Sequence, residues 1–139
     1  MDEILQSGDF VLDYGKLKAR LARSAFRGRF HLSDRDIAAV AELGTERLRF
    51  QAKKILRDRI GAAFPVRDGR QTPMRGFCVF IAQHATACCC RKCLQKYYAI
   101  PTGRALTEAE LDVLSEVVTR WIIERCDDIG RFPRTPELF

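Results

Sequence analysis

Apolar residues recur at helical spacing in several stretches of the chain, and this pattern predicts four helices. In "YGKLKARLARSAF" (14–26), Leu17 and Leu21 lie four residues apart among basic side chains. That spacing places them on one face of an amphipathic helix. By the same periodicity, further helices are predicted over 34–43, 46–62 and 107–125.

Residues at the helix boundaries support this assignment. Ser33 can cap the helix over 34–43, because its hydroxyl accepts from backbone N–H groups of the first turn. Gly44 is typical of the residue that ends such a helix. Thr107 and Glu110 form the pattern of a capping box before the last helix. These signals favour helices over strands.

Three further segments complete the predicted fold. The apolar run "FCVFIAQHAT" (77–86) is compatible with a strand or with the start of a buried helix. Residues 88–98 predict a helix that ends before Pro101. The stretch "PVRDGRQTPMRG" (65–76) contains two prolines and two glycines, which predict a long polar loop. We therefore predict a mostly α-helical, compact single-domain fold with one long polar loop and at most short β segments.

The 139 residues of the chain fit one domain. We expect that domain to span 1–139, with a core over about 14–126 and an irregular C-terminal tail over 127–139. No apolar run approaches the roughly 18 residues that cross a bilayer. The N-terminus lacks the basic flank and apolar stretch of a signal peptide. We therefore expect a cytoplasmic protein with no membrane association.

The net charge of +6 conceals an asymmetry along the chain. Residues 1–104 contain 20 Lys and Arg against 10 Asp and Glu, whereas residues 105–139 contain 4 against 8. The basic helices within 16–29 and 47–59 favour nucleic acid as a partner, because Lys and Arg neutralise backbone phosphates. The candidate phosphate contacts are Arg49, Lys53 and Arg57. Alternatively, the acidic part pairs with the basic part internally, or the basic residues form a solvated surface.

The segment "QHATACCCRKCLQKYY" (83–98) places four of the six cysteines within six positions. On a helix, Cys90 and Cys93 are three residues apart and Cys89 and Cys93 are four apart, so either pair can direct two sulfurs to one ion. Zinc usually takes four ligands from cysteine and histidine, and His84 lies one turn before Cys88. We therefore predict a zinc site with Cys90, Cys93, Cys89 and His84 as ligands.

Two other roles for these thiols follow from the same residues. Cys90 and Cys93 form a Cys-x-x-Cys pair with two basic residues inside it, and such neighbours favour the thiolate needed for redox chemistry. Free cysteines are also common as small buried apolar residues. Cys126 stands alone in the sequence and fits this structural role.

Three motifs resemble a known family: "FRGRFHL" (26–32), "DGRQTPMRG" (68–76) and "VFIAQHATACCCRKCLQKYYAIPTGRALTEAE" (79–110). They are similar to an uncharacterised bacterial family, the domain-of-unknown-function family 4186, over about residues 20–124. That family has no established activity, so the resemblance implies that these residues form a site but does not indicate which function the site has. The matching polar and thiol positions are Asp68, Gly69, Gln71, Thr72, Pro73, Arg75, Gly76, Gln83, His84, Thr86, Cys89, Cys90, Arg91, Cys93 and Lys96.

From this resemblance we expect a substrate or partner to be bound by Arg75, Asp68, Gln71 and Arg91. The chain also departs from the family pattern. Phe77-Cys78 stands where the family usually has His-Pro, and Tyr97-Tyr98 stands where it usually has Trp-His. If those histidines are ligands in relatives, Cys78 or Cys88 could replace them, and loss of the metal is equally compatible.

Two other classes of function fit the same residues. An enzyme could use Cys90 as nucleophile and His84 as base, with Arg75 and Asp68 placing an anionic substrate. A small regulator or inhibitor could instead dock on another protein through its charged faces. The sequence therefore favours a metal-binding and nucleic-acid-binding domain over these two alternatives.

Overall fold

The computed structural model describes residues 3–66 and 72–128 of the chain. In chain order these residues form β1 (Ile4–Ser7), β2 (Phe10–Asp13), α1 (Tyr14–Leu21), α2 (Asp34–Leu43), α3 (Thr45–Ile60), α4 (Cys78–Ala85), α5 (Arg91–Tyr98) and α6 (Glu108–Asp128). A short 3-10 turn spans Arg27–Arg29. The predicted mostly α-helical fold with only short β segments is confirmed. The ambiguous apolar run is helical and forms α4.

The N-terminal hairpin is an element that the sequence pattern did not predict. β1 and β2 pair in antiparallel fashion, with Ser7 opposite Phe10. The two-residue turn between them contains Gly8 with φ of 53°, a left-handed conformation that glycine adopts at little cost. Leu5 is buried and contributes to the core. The core therefore begins before residue 14.

The first helix is shorter than predicted, because α1 ends at Leu21 and not at residue 26. Ser24 explains the change: its hydroxyl accepts from the Arg27 N–H at 3.1 Å. Such side-chain bonds to the backbone compete with continued helix. The chain turns here into the 3-10 segment, which packs against α4.

α6 is the central helix, and it packs against α3, α4 and the hairpin. α3 presents Leu48, Ala52, Leu56 and Ile60 to the core at four-residue spacing, and each is fully buried. This spacing gives one apolar stripe along a helix. The buried residues of α6 that complete the core are Leu111, Val113, Leu114, Val117, Val118, Trp121, Ile122 and Cys126.

The basic flank of α3 lies against the acidic flank of α6. Arg49 pairs with Glu116 at 2.7 Å, and Lys53 and Arg57 pair with Glu108 at 2.7 and 2.8 Å. The internal pairing of the two oppositely charged parts of the chain therefore occurs. All three of the predicted phosphate contacts lie in these ion pairs, and their binding to nucleic acid stays a prediction.

The C-terminal boundary differs slightly from the expected start of the tail. α6 continues to Asp128, and residues 129–139 lie outside the described residues. Within residues 3–66 and 72–128, no helix is long and apolar enough to cross a membrane. The single-domain organisation and the cytoplasmic location stay predictions.

We expect the α3–α6 contact to dominate the stability of the fold. Leu56→Ala should lower the free energy of unfolding by about 2–5 kcal/mol, because it opens a cavity in a fully buried position. Phe50→Ala, on the same helix but 71% exposed, should change it by only about 0.5 kcal/mol. Urea unfolding of both variants measures the difference. Equal losses would contradict the packing described above.

Candidate metal centre

A tight turn between α4 and α5 carries three of the cysteines. Ala87 has φ of 62°, a left-handed conformation that reverses the chain directly after α4. The Cys88 N–H then donates to the Gln83 backbone carbonyl at 2.7 Å. Cys90 is extended and forms the N-cap of α5, which begins at Arg91. The predicted helix over 88–98 was therefore wrong for its first three residues.

The turn brings three thiols together. The Cys93 sulfur lies 3.6 Å from the Cys89 sulfur and 3.4 Å from the Cys90 sulfur. All three sulfurs lie within 4.8 Å of one another. Cys89 is buried, while Cys90 and Cys93 are half-buried. We call these three residues the thiol cluster, and they could hold a metal ion. Three of the four predicted ligands are its members.

His84, the fourth predicted ligand, makes different contacts. Its Nε2 lies 3.1 Å from the carbonyl oxygens of Thr72 and Pro73, and its ring stacks on Phe30. Burial lowers the pKa of His84, so a neutral imidazole donates its Nε2 proton to these carbonyls near neutral pH. Among the described residues, the group of ligand atoms that lie within 4.8 Å of one another consists of the three cysteine sulfurs. His84 is not part of this group.

Arg27 is the residue that the sequence pattern did not identify. Its Nη2 donates to the Cys93 sulfur at 3.1 Å, and its Nη1 lies 3.7 Å from the Cys89 sulfur. Nη1 also donates to the His84 carbonyl. Burial acts to lower the pKa of Arg27, but the charges of the two sulfurs raise it overall. The sequence contains Arg27 in the motif "FRGRF". This motif does not indicate which residues the Arg27 side chain contacts.

The thiols of the cluster perturb one another. The hydrogen bond with Cys90 raises the pKa of Cys89, and burial adds to the effect. The hydrogen bond with Cys89 likewise raises the pKa of Cys93. The positive charge of Arg27 acts to lower the pKa of both Cys89 and Cys93. A metal ion would replace the thiol protons, so its binding to this cluster would release protons.

The other cysteines are not part of the cluster. Burial raises the pKa of Cys78 and Cys88 to about 12 and that of Cys126 to about 11. The Cys88 sulfur lies 3.3 Å from the Tyr98 hydroxyl, in the core. Neither Cys78 nor Cys88 belongs to the described group of ligand atoms, and a ligand role for either stays a prediction. Cys126 has the structural role that the sequence suggested.

Two buried polar residues hold the backbone of the turn. The Thr72 hydroxyl donates to the Cys89 carbonyl at 2.9 Å. The Gln83 side-chain amide donates to the Cys88 carbonyl at 3.0 Å. Both side chains are buried, where an unmade hydrogen bond is costly. Thr72 and Gln83, which both lie at positions that match the family motifs, therefore hold the backbone that carries Cys88 and Cys89.

The residues predicted to bind a substrate or partner do not form one described site. Arg91 is 1% exposed, and its guanidinium donates to the carbonyls of Ala62, Pro101 and Arg104 at 2.6, 3.0 and 2.9 Å. It thereby joins the loop after α3 to the loop before α6. Arg75 is exposed. Asp68 and Gln71 lie outside the described residues, and partner binding by these four side chains stays a prediction.

Comparison with known proteins gives a family but no solved relative. No solved structure matches the chain. A family model described as a domain of unknown function, DUF4186, matches residues 15–123. The match includes Arg27, the turn between α4 and α5 and the whole thiol cluster, and it confirms the resemblance seen in the motifs. The chain belongs to the DUF4186 family.

Proposed function

We propose that this protein is a zinc-binding domain in which Cys89, Cys90 and Cys93 hold the ion. The observation that carries the proposal is the convergence of three sulfurs within 4.8 Å. Two sulfurs at about 2.3 Å from a tetrahedral zinc ion are about 3.8 Å apart. The separations of 3.4 and 3.6 Å in the cluster need little change to reach that value.

The chemistry of the donors also favours zinc. Thiolate sulfur is a soft ligand, which suits zinc and disfavours magnesium or calcium. Three sulfurs leave one position of a tetrahedron for a further ligand, such as a water molecule. Half-burial of Cys90 and Cys93 gives an ion a route to the cluster.

A bound ion at this place would tie the turn after α4 to the first turn of α5, beside Arg27. Cys89 lies in a turn held by Thr72, Cys93 lies on α5, and Arg27 reaches the same sulfurs from the 3-10 turn. The unfolded chain has no preformed arrangement of the three sulfurs, so metal binding would contribute to the folding free energy. The zinc ion would therefore stabilise the turn and the start of α5.

Nucleic-acid binding is a second candidate function, and one surface favours it. Arg20 of α1 donates to the carbonyls of Lys96 and Tyr97, so α1 and the end of α5 lie side by side. Arg23, Arg29 and Lys96 are exposed near this junction. Within the described residues no ion pair involves these three cations, in contrast to the α3 cations that pair with α6. They are available to contact phosphates.

The metal proposal predicts that Cys93→Ala loses zinc and lowers the midpoint of unfolding, because this sulfur contacts both of the other two. Cys126→Ala is the control, since it also removes one thiol but lies outside the cluster, and it should retain the ion. Elemental analysis of protein purified without chelator measures the metal. A stable wild-type protein without metal, whose three cluster thiols all react in the folded state, would refute the proposal.

The nucleic-acid proposal predicts strongly salt-dependent binding to a short DNA duplex of mixed sequence. Replacing Arg23, Arg29 and Lys96 by Gln should weaken binding and flatten the plot of log affinity against log salt by about 0.9 for each phosphate that is no longer neutralised. The variant with Arg49, Lys53 and Arg57 replaced by Ala should change the slope less, because carboxylates already neutralise those cations. Fluorescence anisotropy over a salt series measures both variants. Absence of binding by the wild-type protein at low salt would exclude this function.

A further inference from the structure

We infer that Arg27 makes the thiol cluster selective for a divalent thiophilic ion, such as Zn²⁺ or Cd²⁺, over trivalent arsenic. The inference rests on the proposed metal site and names the residue that determines which ions the site prefers. It assigns Arg27 the role of a positioning residue that acts beside the ion without binding it.

The contacts of Arg27 fix its charge next to the sulfurs. One guanidinium nitrogen donates to Cys93 at 3.1 Å, and the other lies 3.7 Å from Cys89 and donates to the His84 carbonyl. The Tyr97 ring lies against the same guanidinium, with its centroid 5.3 Å away. A guanidinium is always charged and has no lone pair to offer a metal. Arg27 therefore supplies a fixed positive charge that cannot become a ligand.

No carboxylate of residues 3–66 or 72–128 forms an ion pair with this guanidinium, and its contacts at the cluster are hydrogen bonds to the two sulfurs. Charge-assisted hydrogen bonds strengthen when the acceptor is negative. The contact is therefore strongest in a state of the cluster that carries a net negative charge.

The two classes of ion leave the cluster with different charges. Zn²⁺ and three thiols give a zinc tris-thiolate of charge −1 and three protons, and Arg27 neutralises this complex. Arsenous acid and three thiols give a neutral arsenic tris-thiolate and three waters, so arsenic binding brings no negative charge to Arg27. A negative charge placed beside a fixed positive charge is favourable where water is partly excluded. Arg27 therefore stabilises the divalent complex and not the arsenic one.

The test compares zinc and arsenite affinities of the full chain with Arg27→Gln, which removes the charge but keeps hydrogen-bond donors. Zinc affinity, measured by competition with a chromophoric chelator, should fall about 10–100-fold. Arsenite affinity, measured from the sulfur-to-arsenic absorption, should stay equal or rise. Arg29→Gln, an exposed residue of the same 3-10 turn, should change neither. Arg27→Lys keeps the charge and should retain most of the zinc preference.

An equal loss of zinc and arsenite affinity in Arg27→Gln would overturn the inference, because it would show that Arg27 only supports the shape of the site. Unchanged zinc affinity would overturn it as well, as would an Arg27→Lys variant with the selectivity of Arg27→Gln. If the wild-type protein binds Cd²⁺ but not Zn²⁺, the proposed zinc function fails, and the same comparison made with Cd²⁺ decides the inference. Binding of neither divalent ion would overturn both.

Discussion

The packing of α6 along α3 and α4 is the constraint on which the rest of the structure depends. α3 gives this contact a stripe of four fully buried residues from Leu48 to Ile60. α4 packs on another side of α6, and its end fixes where the turn that follows it lies. Because Cys89 and Cys90 are in that turn, the thiol cluster is positioned by core packing.

The pairing of charged residues follows from the same packing of helices. The acidic residues of α6 lie beside the basic flank of α3, so the helix contact brings together the two oppositely charged parts of the sequence. Half-exposed pairs of this kind contribute little stability each, but they withdraw three cations of α3 from the basic surface that a polyanion could meet. Exposed cations such as Arg23, Arg29 and Lys96 have no such ion pair within the described residues. A net charge of +6 therefore says less about partners than where those exposed cations lie.

Local periodicity was sufficient to predict α2, α3 and α6, because their apolar stripes are long and their caps are clear. It failed where a few residues decide the backbone. The hairpin over Ile4–Asp13 has only four residues in each strand, too few for a pattern to identify. The left-handed Ala87 has no sequence signal, since an alanine gives no indication of positive φ. The helix predicted from residue 88 therefore included Cys89, which lies before the helix and reaches Cys93 by a turn.

The candidate site also contains one part that the sequence could predict and one part that it could not. The spacing of Cys90 and Cys93 is local, so the sequence could predict that their sulfurs meet. Arg27 is 62 residues from Cys89 along the chain, and only the packing of the 3-10 turn on α4 brings it to the cluster. His84 was predicted as a ligand because it precedes Cys88 by one helical turn, but its Nε2 contacts the Thr72 and Pro73 carbonyls. Ligation by His84 stays a prediction.

The reversal of the chain at Ala87 also explains why consecutive cysteines have different environments. Cys88 points into the core, where it meets the Tyr98 hydroxyl, whereas Cys89 faces Arg27. Tyr98, where the family resemblance led us to expect histidine, contacts the Cys88 sulfur and the Thr86 carbonyl. Its hydroxyl therefore lies on the core side of the turn, with Cys88. A tyrosine at this position is compatible with the thiol cluster, because the backbone of the turn is held by Thr72, Gln83 and the start of α5.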